Sequence, residues 1–343
     1  MRQTKQTLIY ILQRILLMIF TFIIIFFICF ALVRLLPQNQ SSGMNDPEVF
    51  YERMVNQGRM YKTYDEHGEV KYVELPIMQQ LWNFLVNLFS GKSDYPLGVS
   101  YIVAKNESPD RVLFDRMTPT ILINVYSMIL SIPVGIGIGI FMALKKNKWQ
   151  DHLLNVIIML FISVPSFVYA FLLQNLFGYR WNLLPPLLLD IAKVDNNWLN
   201  PAMFESMILP ILAMSFGSIA GFARYTRAEL TEVLTSDFML LARTKGLTRA
   251  QATFRHAFRN SLVPIFPMIL GTLLSVLSGS LIIENIFAIP GVGSLYLSSI
   301  KLKDFDVFQF VSMFYITIGL VGTLIVDISY GLVDPRIRMG SKK

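Results

Sequence analysis

The chain has 343 residues, 54% of them hydrophobic, and a clearly positive mean hydropathy, which is too apolar for an ordinary soluble domain. Its formal charge of +7 is spread in short clusters flanking apolar stretches, the topology signal of a membrane chain, and this argues against nucleic-acid binding. The single cysteine, Cys29, lies inside an apolar run, so neither an internal disulfide nor a thiolate metal site is available.

Ile15 to Val33 is uncharged and long enough to cross a bilayer, and Arg2, Lys5 and Arg14 precede it. Arg34-Leu35-Leu36-Pro37 follows in place of a small-residue cleavage site, so the segment reads as a retained first helix and not a signal peptide. Pro37 to Met117 is the one long polar region, with acids and bases in near balance. In it Asp46-Pro47-Glu48 starts a short amphipathic helix running to about Gly58, and Tyr61 to Glu74 alternates as a small hairpin around His67-Gly68 would. Leu75 to Phe89 puts Gln79, Gln80, Asn83 and Asn87 on one narrow stripe of a helix too short to span, which suits an interfacial helix. Gly91-Lys92-Ser93 looks like the end of a phosphate-binding loop, but Val86 stands where its first glycine belongs and no strand precedes it. Asn106-Glu107-Ser108 fits a glycosylation pattern and carries little weight by itself.

Five further spans are expected: Thr120 to Leu144, Leu153 to Phe177, Ser206 to Phe222, Leu262 to Ile283, and Val307 to Leu332. Six crossings put both termini on one side. The N-terminus, the Lys145-Lys146-Lys148 loop, the stretch after the fourth span and a tail with Arg336, Arg338, Lys342 and Lys343 hold most of the positive charge, so that side is expected to be cytoplasmic. In the second span Thr120, Asn124, Ser127, Ser131, Gly135 and Gly139 recur at three- and four-residue spacing, and in the fifth Gly271, Ser275 and Gly279 do, with Ser278 beside them. Two readings stand: close helix packing through small residues, or a polar lining in which Asn124, Ser127, Ser131, Ser275 and Ser278 face a translocation path. Gly135-Ile136-Gly137-Ile138-Gly139 sits in mid-span and lacks the later glycine of a dinucleotide loop.

Arg227 to Asn260, between the fourth and fifth spans, is polar, basic and helix-patterned, so it must lie outside the membrane. Leu230, Val233, Leu234, Phe238, Leu241 and Ala242 recur at helical spacing on a first arm; Lys245 falls in its last turn and Gly246 at the position where a left-handed backbone ends a helix. Thr248 then caps a second arm with Gln251 completing a capping box, and that arm carries Arg249, Arg255, His256 and Arg259, which are either a docking surface or simple positive-inside charge. The expected product is a rigid helix, corner, helix elbow. After the fifth span, Pro290, Gly291 and Gly293 force a tight re-entry of the chain behind Glu284. Asp327, an acid inside the last span, reads as a carboxylate reaching the interface or pairing with an arginine on the cytoplasmic side, with a proton relay as the other possibility. His67, His152 and His256 lie in three separate regions, and no metalloprotease motif or nucleophile elbow occurs, so no catalytic role is expected.

Three runs, A-R-T-K-G-L followed by R-H-A-F-R-N-S-L-V-P, E-N-I-F-A-I-P-G-V-G-S-L, and D-P-R-I-R, together resemble the inner-membrane permeases of ATP-binding-cassette importers, in their oligopeptide, dipeptide and nickel branch. Ala242 and Gly246 match the alanine and glycine of the general signature; Leu240-Leu241 and Phe258-Arg259 depart from the broad superfamily pattern in the manner of the peptide branch. F-A-L-V-R-L-L-P at the first helix is also similar, although Gln38-Asn39-Gln40 replaces the usual Gly-Asp-Pro. The resemblance implies an all-α membrane protein with six transmembrane helices in the type I importer permease fold and a small external insert between helices 1 and 2. The layout is then an N-terminus and first helix over 1–36, the insert over 37–117, a five-helix core over 118–338 that includes the coupling loop 227–260, and a tail over 339–343.

It further implies that Ala242, Arg243, Lys245, Gly246, Leu247, Thr248, Gln251, Phe254, Arg255 and His256 engage a separate ATPase, and that Glu284, Pro290, Gly291 and Gly293 form an external gate loop. The chain itself would hold no cofactor, since ATP and magnesium belong to the partner ATPases. The implied partners are a homologous permease forming a heterodimer, two cytoplasmic ATPase subunits, an external substrate-binding lipoprotein, membrane lipid and a peptide substrate, in a bacterial plasma membrane. Nickel or another small solute is the nearest alternative cargo. A proton-coupled secondary transporter, or a membrane receptor whose insert binds a partner, are the rivals from other classes.

Overall fold

The computed structural model describes residues 2–36, 47–90 and 96–333, with the side chains of residues 2–8, 47, 53, 249, 254 and 330–333 outside the description. The expectations on Pro37, Asp46, Gly91-Lys92-Ser93, the D-P-R-I-R run and the tail lie outside the described residues, as do those on the side chains of Arg2, Lys5, Arg249 and Phe254. The described chain is helical apart from one hairpin.

Among the described residues, five stretches are long and apolar enough to cross a membrane: Ile9–Leu35 in α1 (Arg2–Leu35), α5 (Met117–Leu144), α8 (Pro201–Leu234), Ala250–Ser275, and Phe305–Ser329 in α14 (Phe305–Val333). The expected third span is not one rod. It is α6 (Trp149–Ser163) and α7 (Ser166–Leu173), the latter drawn on through π turns over Gln174–Arg180, and the pair is bent by 98°. Pro165 has no N–H to donate and excludes Val164 from the helical region, so Val164 is extended at ψ 127° and the ladder breaks there. Counting the bent pair as one span gives the six crossings of the type I permease fold.

The chain divides into two compact units. One, within the described residues, comprises 2–16, 118–294 and 318–333. Its core joins Met203, Met207 and Leu209 of α8 to Ile123 of α5, Ala170 of α7 and the buried Ile283 and Phe287. The small-residue stripe of α5 is packed on α8. A Cβ on Gly135 would stand 2.6 Å from Phe222 Cβ and 2.8 Å from the Ile219 carbonyl oxygen, and one on Gly139 would stand 2.6 Å from the Ala223 carbonyl oxygen. Ser127 Oγ lies 3.0 Å from Ser215 Oγ across the same seam. The fifth span ends at Ser275 and not at Ile283, because Val276 to Ser280 turn, with Gly279 at φ +63°, before α12 (Leu281–Ile286).

The other unit, within the described residues, comprises 17–36, 47–90, 96–117 and 295–317. It holds α2 (Pro47–Asn56), strands β1 (Met60–Tyr64) and β2 (Val70–Glu74), α3 (Ile77–Ser90) and α4 (Pro109–Asp115). The strands pair antiparallel with Lys62 opposite Tyr72, and the Asp65 carboxylate closes the turn by accepting from the amides of His67 and Glu69, both at 2.9 Å. Part of the polar stripe of α3 faces its own unit: Gln80 is buried and donates to the Leu75 carbonyl, and Asn83 donates to that of Gly58, while Gln79 is exposed. Met78, Trp82 and Phe89 are left exposed, the arrangement of a helix whose outer surroundings are apolar.

Candidate functional site

The elbow forms where it was expected, with one difference. α8 runs on to Leu234, and the first arm breaks at Thr235-Ser236, so Leu230, Val233 and Leu234 belong to the fourth span's helix and only α9 (Asp237–Thr244) forms the arm next to the corner. The two hydroxyls cause the break. Thr235 Oγ1 donates to the Glu232 carbonyl at 2.9 Å and Ser236 Oγ to that of Val233 at 2.6 Å, offering the backbone an alternative to the helical ladder.

At the corner, Lys245 ends α9, Gly246 takes φ +91°, the Gly246 amide donates to the Arg243 carbonyl at 3.0 Å and the Leu247 amide reaches back to that of Ala242 at 3.4 Å. This is a Schellman motif, and its usual apolar contact is present: Ala242 and Leu247 both pack on a cluster of Ala143, Leu230, Met239, Ala252 and Ala257. The capping box closes reciprocally, Thr248 N donating to Gln251 Oε1 at 3.1 Å and Gln251 N to Thr248 Oγ1 at 3.3 Å. α10 (Arg249–Ala252) continues through a π turn over Thr253–Ala257 into α11 (Phe258–Ser275), so the second arm and the fifth span are one continuous helical run. Arg243, Lys245, Gly246, Thr248, Gln251 and Arg255 are exposed, and His256 is half-buried. Beside them Phe238, Leu240 and Leu241 are also exposed, at 41%, 63% and 56%. A polar, basic corner thus carries an apolar patch that no described residue covers.

The Glu284 loop is a cage built around a carboxylate. Glu284 is 3% exposed; Oε1 accepts from Thr120 Oγ1 at 2.9 Å and Oε2 from the Ser294 amide at 2.9 Å, while Thr120 Oγ1 accepts from the Val292 amide. The glycines make the room. A Cβ on Gly291 would stand 2.5 Å from Oε2, one on Gly293 2.9 Å from it, and one on Gly279 2.6 Å from Oε1. Gly291 and Gly293 are buried against the acid, and Pro290 is exposed at the tip. Burial pushes the Glu284 carboxyl up from the usual value, against hydrogen bonds from Ser294 and Thr120 that pull it down.

Of the candidate lining residues, Ser127 and Ser131 are buried, and Ser127 meets Ser215 across the α5 to α8 seam, which favours the packing reading for that stripe. Asn124 is half-buried and donates to the Thr120 carbonyl; Ser275 is exposed at the end of α11, and Ser278 lies in the turn beyond it. Asp327 pairs with Arg14 at 2.9 Å, the arginine pairing expected of it. One pair gave no signal in the sequence: Arg227 holds Asp151 through two bonds, Nε to Oδ1 at 2.6 Å and Nη2 to Oδ2 at 2.7 Å, fixing the start of α6 against the far end of α8. Asp151 is 1% exposed, but nothing local marks a partner 76 residues away.

Residues 135–339 match the family model described as "Binding-protein-dependent transport system inner membrane component". The chain is 30% identical over 330 residues to the dipeptide transport system permease protein DppB of Lactococcus lactis, covering 96% of this chain and 99% of that one. It is 28% identical over 329 residues to the glutathione transport system permease protein GsiC of Escherichia coli, covering 96% and 98%. A solved structure titled as inward-facing conformations of the MetNI methionine ABC transporter aligns with TM-score 0.46 and 14% identity over 64% of this chain and 97% of that one, a likeness that carries no argument. The elbow with its Schellman corner, the glycine cage behind the fifth span and the end-to-end likeness to curated permeases converge: this chain belongs to the binding-protein-dependent transport system inner membrane components, the multi-pass permease subunits of ABC importers, in their peptide branch.

Proposed function

We propose that the chain is one of two membrane-spanning subunits of an importer that moves peptides inward, paired with a homologous permease as a heterodimer and driven by two ATPase subunits. The observation that carries this reading is the elbow: a corner fixed by a Schellman motif and a capping box, presenting exposed Phe238, Leu240 and Leu241 among Arg243, Lys245 and Arg255. An exposed apolar patch rimmed by charge on a rigid extramembrane corner is the chemistry of a protein-docking surface. Because the elbow is continuous with α11 on one side and joined to α8 through the short break at Thr235-Ser236 on the other, a displacement imposed on it acts on two spans together, and nucleotide-driven closure of the ATPases biases a two-state helix arrangement. The positive clusters support a topology with the elbow and both termini in the cytoplasm of a bacterial cell and the 37–117 insert outside, where a substrate-binding lipoprotein would deliver cargo to the gate loop around Glu284. Asn124, Ser275 and Ser278 are the candidates best placed for lining the path, ahead of the buried Ser127 and Ser131. The pairing of Asp327 with Arg14 speaks against a proton relay.

Affinity purification from native membranes tests the reading: an ATPase pair and a second permease are expected to come with the chain. Gly246→Asp should abolish peptide uptake while leaving membrane insertion intact, and normal uptake by that variant would overturn the docking role.

A further inference from the structure

Within the unit formed by 17–117 and 295–317, three charged side chains meet at the C-terminal end of α1. Arg59 and Asp306 form an ion pair whose side chains are 6% and 5% exposed. The Asp306 carboxylate is fully engaged, since beyond Arg59 it accepts from Gln57 Nε2 at 2.7 Å and from the Val99 amide at 3.2 Å. Arg34, in the last turn of α1, stacks over the Phe30 ring at 4.7 Å, and among the described residues its buried Nε and Nη1 have no hydrogen-bond partner, nor has the Nε of Arg59. Among the described residues, two guanidinium groups against one carboxylate line a cavity of about 410 Å³ that also presents Gln57 and Asn87. Glu74 lines a second cavity beside Arg34 and Arg59 and, among the described residues, forms no ion pair with either. An uncompensated buried cation with free donors calls for an anion.

The neighbouring cavity identifies what carries that anion. It measures about 470 Å³, is lined by Phe22, Phe26, Leu88, Phe310 and Met313, and shares Phe84, Leu97 and Asp306 with the cationic one. On α1, Phe26 and Phe22 precede Arg34 by two and three turns, which places them about 12 and 18 Å further along the helix. The apolar span of α1 runs Ile9–Leu35, so Arg34 sits at the level of the headgroups and the aromatic groove leads from it into the hydrocarbon. We propose that the paired cavities hold an anionic phospholipid, its phosphate on Arg34 and one acyl chain along Phe26 and Phe22. A free phosphate leaves the aromatic groove unfilled, and a peptide carboxylate has no use for it.

The test is native mass spectrometry of the full transporter complex reconstituted in nanodiscs of phosphatidylglycerol or phosphatidylcholine. Phosphatidylglycerol is expected to stay bound in preference to phosphatidylcholine, and Arg34→Gln to lower its retention by about tenfold, as loss of a charge-assisted contact does. Leu88→Trp, which fills the groove and leaves every charge in place, is expected to lower retention as well, and it decides the matter should Arg34→Gln fail to assemble. Equal retention of both lipids, or retention unchanged in Leu88→Trp, overturns the proposal. So does displacement of the lipid by inorganic phosphate alone or by a peptide with a free carboxylate, which would make this an anion site of another kind. The readout is lipid retention, so its failure leaves the importer reading untouched.

Discussion

Replacing Glu284 separates a structural carboxylate from a dispensable one. In Glu284→Ala the Thr120 hydroxyl and the Ser294 amide both lose a buried acceptor, and Thr120 is itself only 1% exposed. At about 1–3 kcal/mol for each unsatisfied group, the loss is roughly 2–6 kcal/mol before any relaxation. Glu284→Gln is far milder, about 1 kcal/mol, because its oxygen can face the Ser294 amide while its NH₂ donates to the Thr120 oxygen, which has a lone pair to spare. The two variants also differ in pH dependence. Burial raises the Glu284 carboxyl above 4.5, so its contribution to stability is fully present below that value and is lost as pH rises through the folded-state pKa. Thermal unfolding of the purified protein across a pH series from 4.5 upward should show the wild type losing stability relative to Glu284→Gln, which has no such component. Glu284→Ala should melt lowest of the three at every pH. Refutation would be an alanine variant as stable as wild type, or a glutamine variant with the wild-type pH slope.

Three more outcomes follow from the same geometry. Gly139→Val puts atoms into the Ala223 carbonyl and should cost about 1–3 kcal/mol by forcing α5 off α8, read as a lower melting temperature, whereas Gly137→Val, with nothing within 4 Å, should melt as wild type. Asp151→Ala should destabilise by about 1–3 kcal/mol, and the double variant with Arg227→Met should recover part of that; a double-mutant cycle with no coupling would refute the pair's role. Gly246→Ala, with open space at the Cβ, should cost only the left-handed backbone penalty of about 1–2 kcal/mol, so ATPase binding should fall less than in Gly246→Asp; equal losses in a binding assay would contradict this.

Where physics is local, the chain could be read without coordinates. The corner at Gly246 needs a left-handed residue after a helix and an acceptor three residues beyond Thr248, and both needs are written in adjacent positions. The hairpin turn at Asp65 to Glu69 and the short helix α3 were legible for the same reason. Apolar spacing over Leu230 to Ala242 passes smoothly through Thr235-Ser236, and spacing cannot register two hydroxyls turning back onto carbonyls, so the break in the first arm is invisible to it. Hydropathy runs unbroken through Pro165 in the third span, since it counts residues and not the direction of the backbone.

By itself the sequence determined the membrane class, the apolar stretches, the elbow and the permease family, because each depends on composition or on residues within a few positions of one another. Only the tertiary structure decided which small residues pack and which stay open, that Gly279, Gly291 and Gly293 exist to admit the Glu284 carboxylate, and that Asp151 belongs to Arg227 and Asp306 to Arg59. Those are choices among partners far apart in the chain. No local pattern encodes them, since a carboxylate's partner is set by which helices share a seam.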